Sequence, residues 1–254
     1  VIDPAPPETE EPRPIIFPAD PTIVVQTPIV TYVLIALSVA IYFAQISTNV
    51  IFQLDIPAYF GMKINEAIIG GEYWRFVTPM LLHGSIPHIL FNMYALFSIG
   101  NLLERRMGHG RFLLLYLLGS FAGNAFSFLL SPNPSLGAST SIFALIGAEA
   151  IFFWHNRELF GKQAGRALRN IFMIVAVNLF FGLSPGIDNW GHIGGLIGGL
   201  MFAWFGGPKF AVSQTTAYPF VQMEDEHGAS EVITGAMLVI LCFGALAAWG
   251  IFFR

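Results

Sequence analysis

Seven stretches of this chain are apolar over roughly the length a helix needs to cross a bilayer, and they constrain the fold more than any other feature. They run at approximately 27–46, 86–103, 111–130, 137–155, 167–183, 189–206 and 232–253, the fifth and sixth being short. A crossing helix needs about 20 mainly apolar residues, because hydrocarbon offers no water to an unpaired backbone. With 55% apolar and only 11% charged residues among 254, and a mean hydropathy of +0.65, one water-soluble core could not absorb the chain. Lipid is the solvent for most of it. The expected fold class is an all-α polytopic membrane protein.

Between the spans the composition changes. Residues 1–22 hold many prolines with Asp3, Glu8, Glu10 and Glu11 and are expected to form a disordered acidic tail. The chain starts at Val1, as a trimmed or processed chain would, and this start lacks the charge and short apolar run of a signal peptide. A membrane core is expected over 23–207, a linker over 208–231 and a seventh span over 232–254. The segment from Asn49 to Ser85 holds Pro57, Gly61, Gly70, Gly71 and scattered charges and reads as an interfacial loop. Cys242 is the only cysteine, so no disulfide can form within the chain. The net charge of −4 supplies no basic footprint for nucleic acid.

Basic residues set the expected orientation. Arg105, Arg106 and Arg111 follow the second span, and Arg157, Lys162, Arg166 and Arg169 follow the fourth. The loops after the third and fifth spans, 131–136 and 182–188, carry no lysine or arginine. The arginine-rich loops are therefore expected in the cytoplasm. The second, fourth and sixth spans then start outside and run inward, and Arg254 ends outside.

Four polar residues recur near the outer ends of those three inward-running spans. His88 and Asn92 are four apart on one face of the second span, with Pro87 in its first turn. Ser139 opens the fourth span in Gly137-Ala138-Ser139-Thr140-Ser141, where small neighbours allow close approach to the hydroxyl. Small residues mixed with serines are also the usual packing surface between membrane helices. His192 opens the sixth span beside Gly191, Gly195 and Gly199, whose spacing of four makes a smooth stripe for close helix contact. A titratable side chain inside a span is costly and marks a functional candidate, although a carbonyl or water near the surface would also satisfy it. A hydroxyl, an imidazole and further hydrogen-bond donors are the components of a serine hydrolase. No acid completes a triad: Asp188 precedes His192 by four residues and reaches it only if the helix starts early, and Glu149 lies about 15 Å deeper than Ser139. Phe143, one turn after Ser139, can stack on His192 or simply fill space.

These motifs, in this order, resemble those of the rhomboid family of intramembrane serine proteases over most of Gly71 to Gly206. Trp74-Arg75 resembles the Trp-Arg pair of the family's first loop. His88 to Asn92 resembles its H-x-x-x-N motif, and Gly137-Ala138-Ser139 its G-x-S motif. His192 with Gly195 and Gly199 resembles H-x-x-G-x-x-x-G. Glu104-Arg105-Arg106 with Gly108 resembles the charged end of the second span. The resemblance implies a six-helix bundle with one further helix at the C-terminal end. It implies Ser139 as nucleophile, His192 as base, and His88, Asn92 and the Ser139 amide as the oxyanion hole. Trp74 and Arg75 would anchor the first loop in the interface. The implied partners are the lipid bilayer and transmembrane protein substrates, cut near their outer ends at small residues and entering between the second and fifth spans. No metal or organic cofactor is implied.

Two positions depart from the family pattern. Thr140 stands where the motif usually continues with glycine, and Phe143 where tyrosine is frequent; stacking survives the second change, a phenolic hydrogen bond does not. The basic loops fit a bacterial plasma membrane or an organelle inner membrane, with the site open to the outer side. Two other readings stay open. A pseudoprotease that binds membrane helices for quality control would share the fold, although such relatives typically lack the serine or histidine. A transporter would call for broken helices, repeats and paired charges, whereas Glu149 is the only clear acid within a span.

Overall fold

The computed structural model describes residues 27–213 and 222–253. The expected tail at 1–22, residues 214–221 of the expected linker and Arg254 lie outside them. The first helix, α1 (Ile29–Phe52), continues six residues past the apolar run that announced it. Short helices α2 (Ile56–Gly61) and α3 (Asn65–Ile69) and two 3-10 turns, Tyr73–Phe76 and Thr78–Leu81, follow it. The second span is α4 (Ile86–Ala95), a π turn at Leu96–Gly100 and α5 (Asn101–Met107). Next come α6 (His109–Leu130), α7 (Ser139–His155), the short α8 (Arg157–Phe160), α9 (Lys162–Phe181) and α10 (Asn189–Gly206). The strands β1 (Phe210–Ser213) and β2 (Gln222–Asp225) precede α11 (Ala229–Phe253).

Among the described residues, five helices are long and apolar enough to cross a membrane: Ile29–Phe52, Ile86–Met107, His109–Leu130, Lys162–Phe181 and Ala229–Phe253. The chain is a polytopic membrane protein. Two helices outside that set, α7 and α10, are its centre. α7 has 17 residues, and α10 begins with Asn189, His192 and a run of glycines that lower its hydropathy. α10 packs against α6, α7 and α11. Protein rather than lipid covers it, so it needs less apolar surface of its own.

Two glycine faces make that packing possible. A side chain at Gly195 would strike the Thr140 carbonyl oxygen, and one at Gly199 the Ala144 carbonyl oxygen, both on α7. Gly194 and Gly198 face Phe126 and Ala122 on α6. The sequence pointed to the first stripe. The second lets the helix be gripped from both sides, and close backbone approach maximises dispersion contacts where lipid supplies no hydrophobic drive.

The segment 53–85, which reads as an interfacial loop, holds short helices and is ordered by specific hydrogen bonds. Arg75, nearly inaccessible, donates to the Met62 and Tyr59 carbonyls at 2.7 and 2.9 Å and to Glu72 at 2.7 Å. Trp74 Nε1 donates to the Phe60 carbonyl at 2.9 Å. The buried Lys63 ammonium donates to the Ser131 and Asn133 carbonyls at 3.1 and 2.9 Å. Backbone bonds between Lys63 and Ser135 complete this tie to the segment that leads into α7. Buried main-chain groups must be paired, and these cations pair them where no regular structure does.

Two further differences concern the other face. Arg106 does not project into a cytoplasmic loop; it is buried, with its guanidinium 4.5 Å over the Phe152 ring. Nor is the segment after α10 a plain linker: β1 and β2 pair antiparallel, with Phe210 opposite Asp225. Asn156 accepts from the Phe210 amide and donates to the Pro208 carbonyl, and Arg111 pairs with Asp225 at 2.5 Å. These contacts hold the ribbon against the ends of α6 and α7.

Candidate active site

Each polar candidate sits where its helix begins. Ser85 caps α4 by accepting from the His88 amide, and Pro87 occupies its first turn, so His88 and Asn92 lie in the first two turns. Ser139 is the first residue of α7. Asp188 caps α10 by accepting from the Gly191 amide at 3.0 Å, which places His192 one turn in.

The structure brings these starts together. His192 Nε2 lies 2.9 Å from Ser139 Oγ. The Phe143 ring stacks on the imidazole, with centroids 4.4 Å apart and planes 9° from parallel. Among the described residues no acceptor meets His192 Nδ1. Asp188 does not supply one: its second oxygen accepts from Ser127 Oγ on α6 at 2.5 Å. The helix starts late enough that the carboxylate serves as a cap and not as the third member of a triad.

His88 and Asn92 face Gly137, two residues before the serine. A Cβ built on Gly137 would stand 2.7 Å from His88 Nε2 and 3.7 Å from Asn92 Nδ2, and its φ of +133° also disfavours a side chain. His88 Nδ1 accepts from the Gly84 amide at 3.4 Å, so in the neutral ring the proton resides on Nε2, the nitrogen aimed at Gly137. The Asn92 side chain is buried, and its Nδ2 has no acceptor among the described residues. Two donors therefore point at the space beside Ser139, and the buried one, Asn92 Nδ2, has no partner among the described residues. Unpaired buried donors are costly, and such groups are retained where a ligand oxygen or water completes them.

This space opens into a cleft of about 1350 Å³. Phe91, Ala95 and Ile99 of the second span form one wall and Ile174, Asn178 and Phe181 of α9 the other. α9 is the least buried of the long helices, with only Ala164 and Ile171 enclosed. Thr140 fills the gap between α7, α6 and α10, its methyl facing Gly191 and its Cβ facing Gly123. The extra side chain is thus matched by glycine on both neighbours. Trp74 and Arg75 stand apart from the cleft and act on the segment before it.

Three contributors had no signature in the sequence. Lys63 orders the approach to Ser139 from a segment with no visible periodicity. Ser127 reads as one more small residue of a membrane helix. His83, 1% exposed, sets its ring edge against His88 with centroids 5.2 Å apart, and its amide donates to Gln45 on α1. Burial, and after it the neighbouring His88, pushes the His83 imidazole down to about 3.

Comparison with known proteins agrees with this architecture. The Rhomboid domain family matches residues 70–209. The chain is 43% identical over 177 residues to Rhomboid protease GluP of Bacillus subtilis, covering 69% of this chain and 34% of that protein. It is 36% identical over 167 residues to RHOMBOID-like protein 9, chloroplastic, of Arabidopsis thaliana, covering 64% of this chain and 38% of that one. Putative rhomboid protease YdcA of Bacillus subtilis is 29% identical over 180 residues, which cover 70% of this chain and 87% of that protein. The chain thus spans little more than a third of the length of the first two. The matched region holds all four polar candidates and the glycine stripe, and the chain belongs to the rhomboid family of intramembrane proteases.

Proposed function

We propose that this protein is a serine endopeptidase that cuts transmembrane segments of membrane proteins near their outer ends with a Ser139–His192 dyad. The observation that carries this reading is the 2.9 Å contact between Ser139 Oγ and His192 Nε2 at the floor of the cleft. Ser139 Oγ attacks a substrate carbonyl carbon while its proton passes to His192 Nε2. Phe143 restrains the imidazole by stacking. The developing oxyanion receives hydrogen bonds from Asn92 Nδ2, His88 Nε2 and the Ser139 amide. That amide lies in the first turn of α7, where backbone N–H groups lack intrahelical acceptors. Collapse of the tetrahedral intermediate expels the amine, which takes the proton from His192, and water then clears the acyl-enzyme.

A substrate helix must unwind first, because its own hydrogen bonds screen its carbonyls. The cleft between the second span and α9 gives such a segment a lateral route. The basic loops support an outward-facing site in a bacterial plasma membrane, and the Bacillus relative named as a protease supports the activity. We read six spans as the proteolytic core and α11 as an appended seventh. The test is cleavage of single-span reporters in liposomes together with labelling by a fluorophosphonate. Wild-type cleavage with labelling at Ser139, both lost in Ser139→Ala with the fold retained, is the expected result. Cleavage that survives Ser139→Ala would refute the nucleophile.

A further inference from the structure

We infer that Asp188 is a positioning residue that acts through His192, holding the start of α10 in place and supplying the fixed negative charge against which the imidazolium forms. The inference rests on the Ser139–His192 reading. Its carboxylate bridges two helices: one oxygen accepts from the Gly191 amide at 3.0 Å and the other from Ser127 Oγ on α6 at 2.5 Å. The His192 amide in turn donates to the Asp188 carbonyl at 3.2 Å, so the imidazole stands one helical turn from the carboxylate.

A neutral residue would cap this helix as well, since serine and asparagine are as good at the position as aspartate. Aspartate adds a full negative charge that a cap alone does not require. The fully buried Ser127 hydroxyl, and the Gly191 that leaves room for Oδ2, keep the charge fixed in one place. Fixed charge is what catalysis can use. In acylation the Oγ–C bond forms as the proton moves from Ser139 Oγ to His192 Nε2, and a positive ring appears whose Nδ1 meets no acceptor among the described residues. Asp188 takes no proton in this step. Its field lowers the energy of the charged state without a direct bond, which replaces part of what a triad carboxylate does.

The experiment measures steady-state cleavage of a single-span reporter in liposomes by the full chain and by Asp188→Asn, Asp188→Ser, Ser127→Ala and Ser139→Ala, with the melting temperature of each. Asn keeps the cap acceptor and an amide that can meet the Ser127 hydroxyl, so it removes chiefly the charge, whereas Ser keeps the cap acceptor and gives up the Ser127 bond as well. Both are expected to lower kcat about tenfold to a hundredfold, with KM within about twofold, and Asn with melting unchanged. Ser127→Ala keeps the charge and loosens its hold, and is expected to fall in between. Wild-type kcat in both neutral variants would overturn the inference, as would a loss of kcat that merely follows a loss of thermal stability. A Ser139→Ala protein that still cleaves would instead remove the dyad, an outcome separable from both.

Discussion

Replacing Gly195 with alanine tests whether close contact between α10 and α7 is what joins the two candidate catalytic residues. The added methyl would overlap the Thr140 carbonyl oxygen and stand 2.9 Å from its carbon, where carbon atoms in contact prefer about 3.5–4.0 Å. The obstacle is helix backbone, which cannot rotate aside as a side chain would, so α10 must withdraw from α7 by about 1 Å. His192 is three residues away on the same helix and moves with it. The Ser139 Oγ–His192 Nε2 separation of 2.9 Å then approaches 4 Å, outside hydrogen-bond range. Overpacking of this kind costs about 1–3 kcal/mol of stability, and a displacement of about 1 Å at a reacting group costs on the order of a hundredfold in rate. We expect Gly195→Ala to melt several degrees lower and to cleave a reporter about a hundredfold more slowly. Gly165 on α9 is the control: nothing lies within 4 Å of its would-be Cβ, so Gly165→Ala should leave activity intact and add about 0.5–1 kcal/mol of stability. Gly195→Ala with wild-type turnover and melting would refute the reasoning.

Other consequences follow from the same geometry. Asn92→Ala and His88→Ala should each lower kcat by about a hundredfold to a thousandfold with little change in melting temperature; retained turnover in both would remove them from the oxyanion site. Glu104 accepts from the Val30 and Thr31 amides, the Thr31 hydroxyl and His109 at 2.9, 2.7, 2.6 and 2.5 Å. Glu104→Ala strands the first N–H groups of α1 and should cost about 2–3 kcal/mol, read as a lower melting temperature in detergent; an unchanged value contradicts that capping role. The folded His83 ring binds its proton only near pH 3, the unfolded one near 6.5. Between those values the unfolded chain carries the extra proton, so stability falls as pH drops through the window. Melting measured from pH 7 to pH 4 should therefore decline less steeply in His83→Gln than in the wild type, and equal slopes would contradict the burial argument.

How much of this was legible in the residues depends on how far apart the interacting groups are. Lipid forces each crossing segment to satisfy its own backbone, so the apolar runs in the sequence announce the long helices almost by themselves. α-Helical spacing likewise places His88 with Asn92 on one face and aligns Gly191, Gly195 and Gly199 as a stripe. The segment from 53 to 85 resisted the same reading because its order comes from Lys63, Arg75 and Trp74 donating to carbonyls in loops and at the end of α2, a pattern with no period. Arg106 was misplaced for a related reason: a charge near a helix end reads as solvated, and only the packed rings of Phe152 and Phe153 show that it turns inward.

Asp188 marks the boundary most clearly. Its position four residues before His192 was plain, but whether it meets the imidazole depends on where α10 begins and what α6 offers it. The structure turns it toward Gly191 and Ser127. The sequence by itself determined the solvent, the helices and the chemical kinds of side chain present where three of them begin. Tertiary structure alone decided which of those side chains touch, because contacts between helices dozens of residues apart are set by shape and by glycine-lined close approach, and local periodicity carries no record of either.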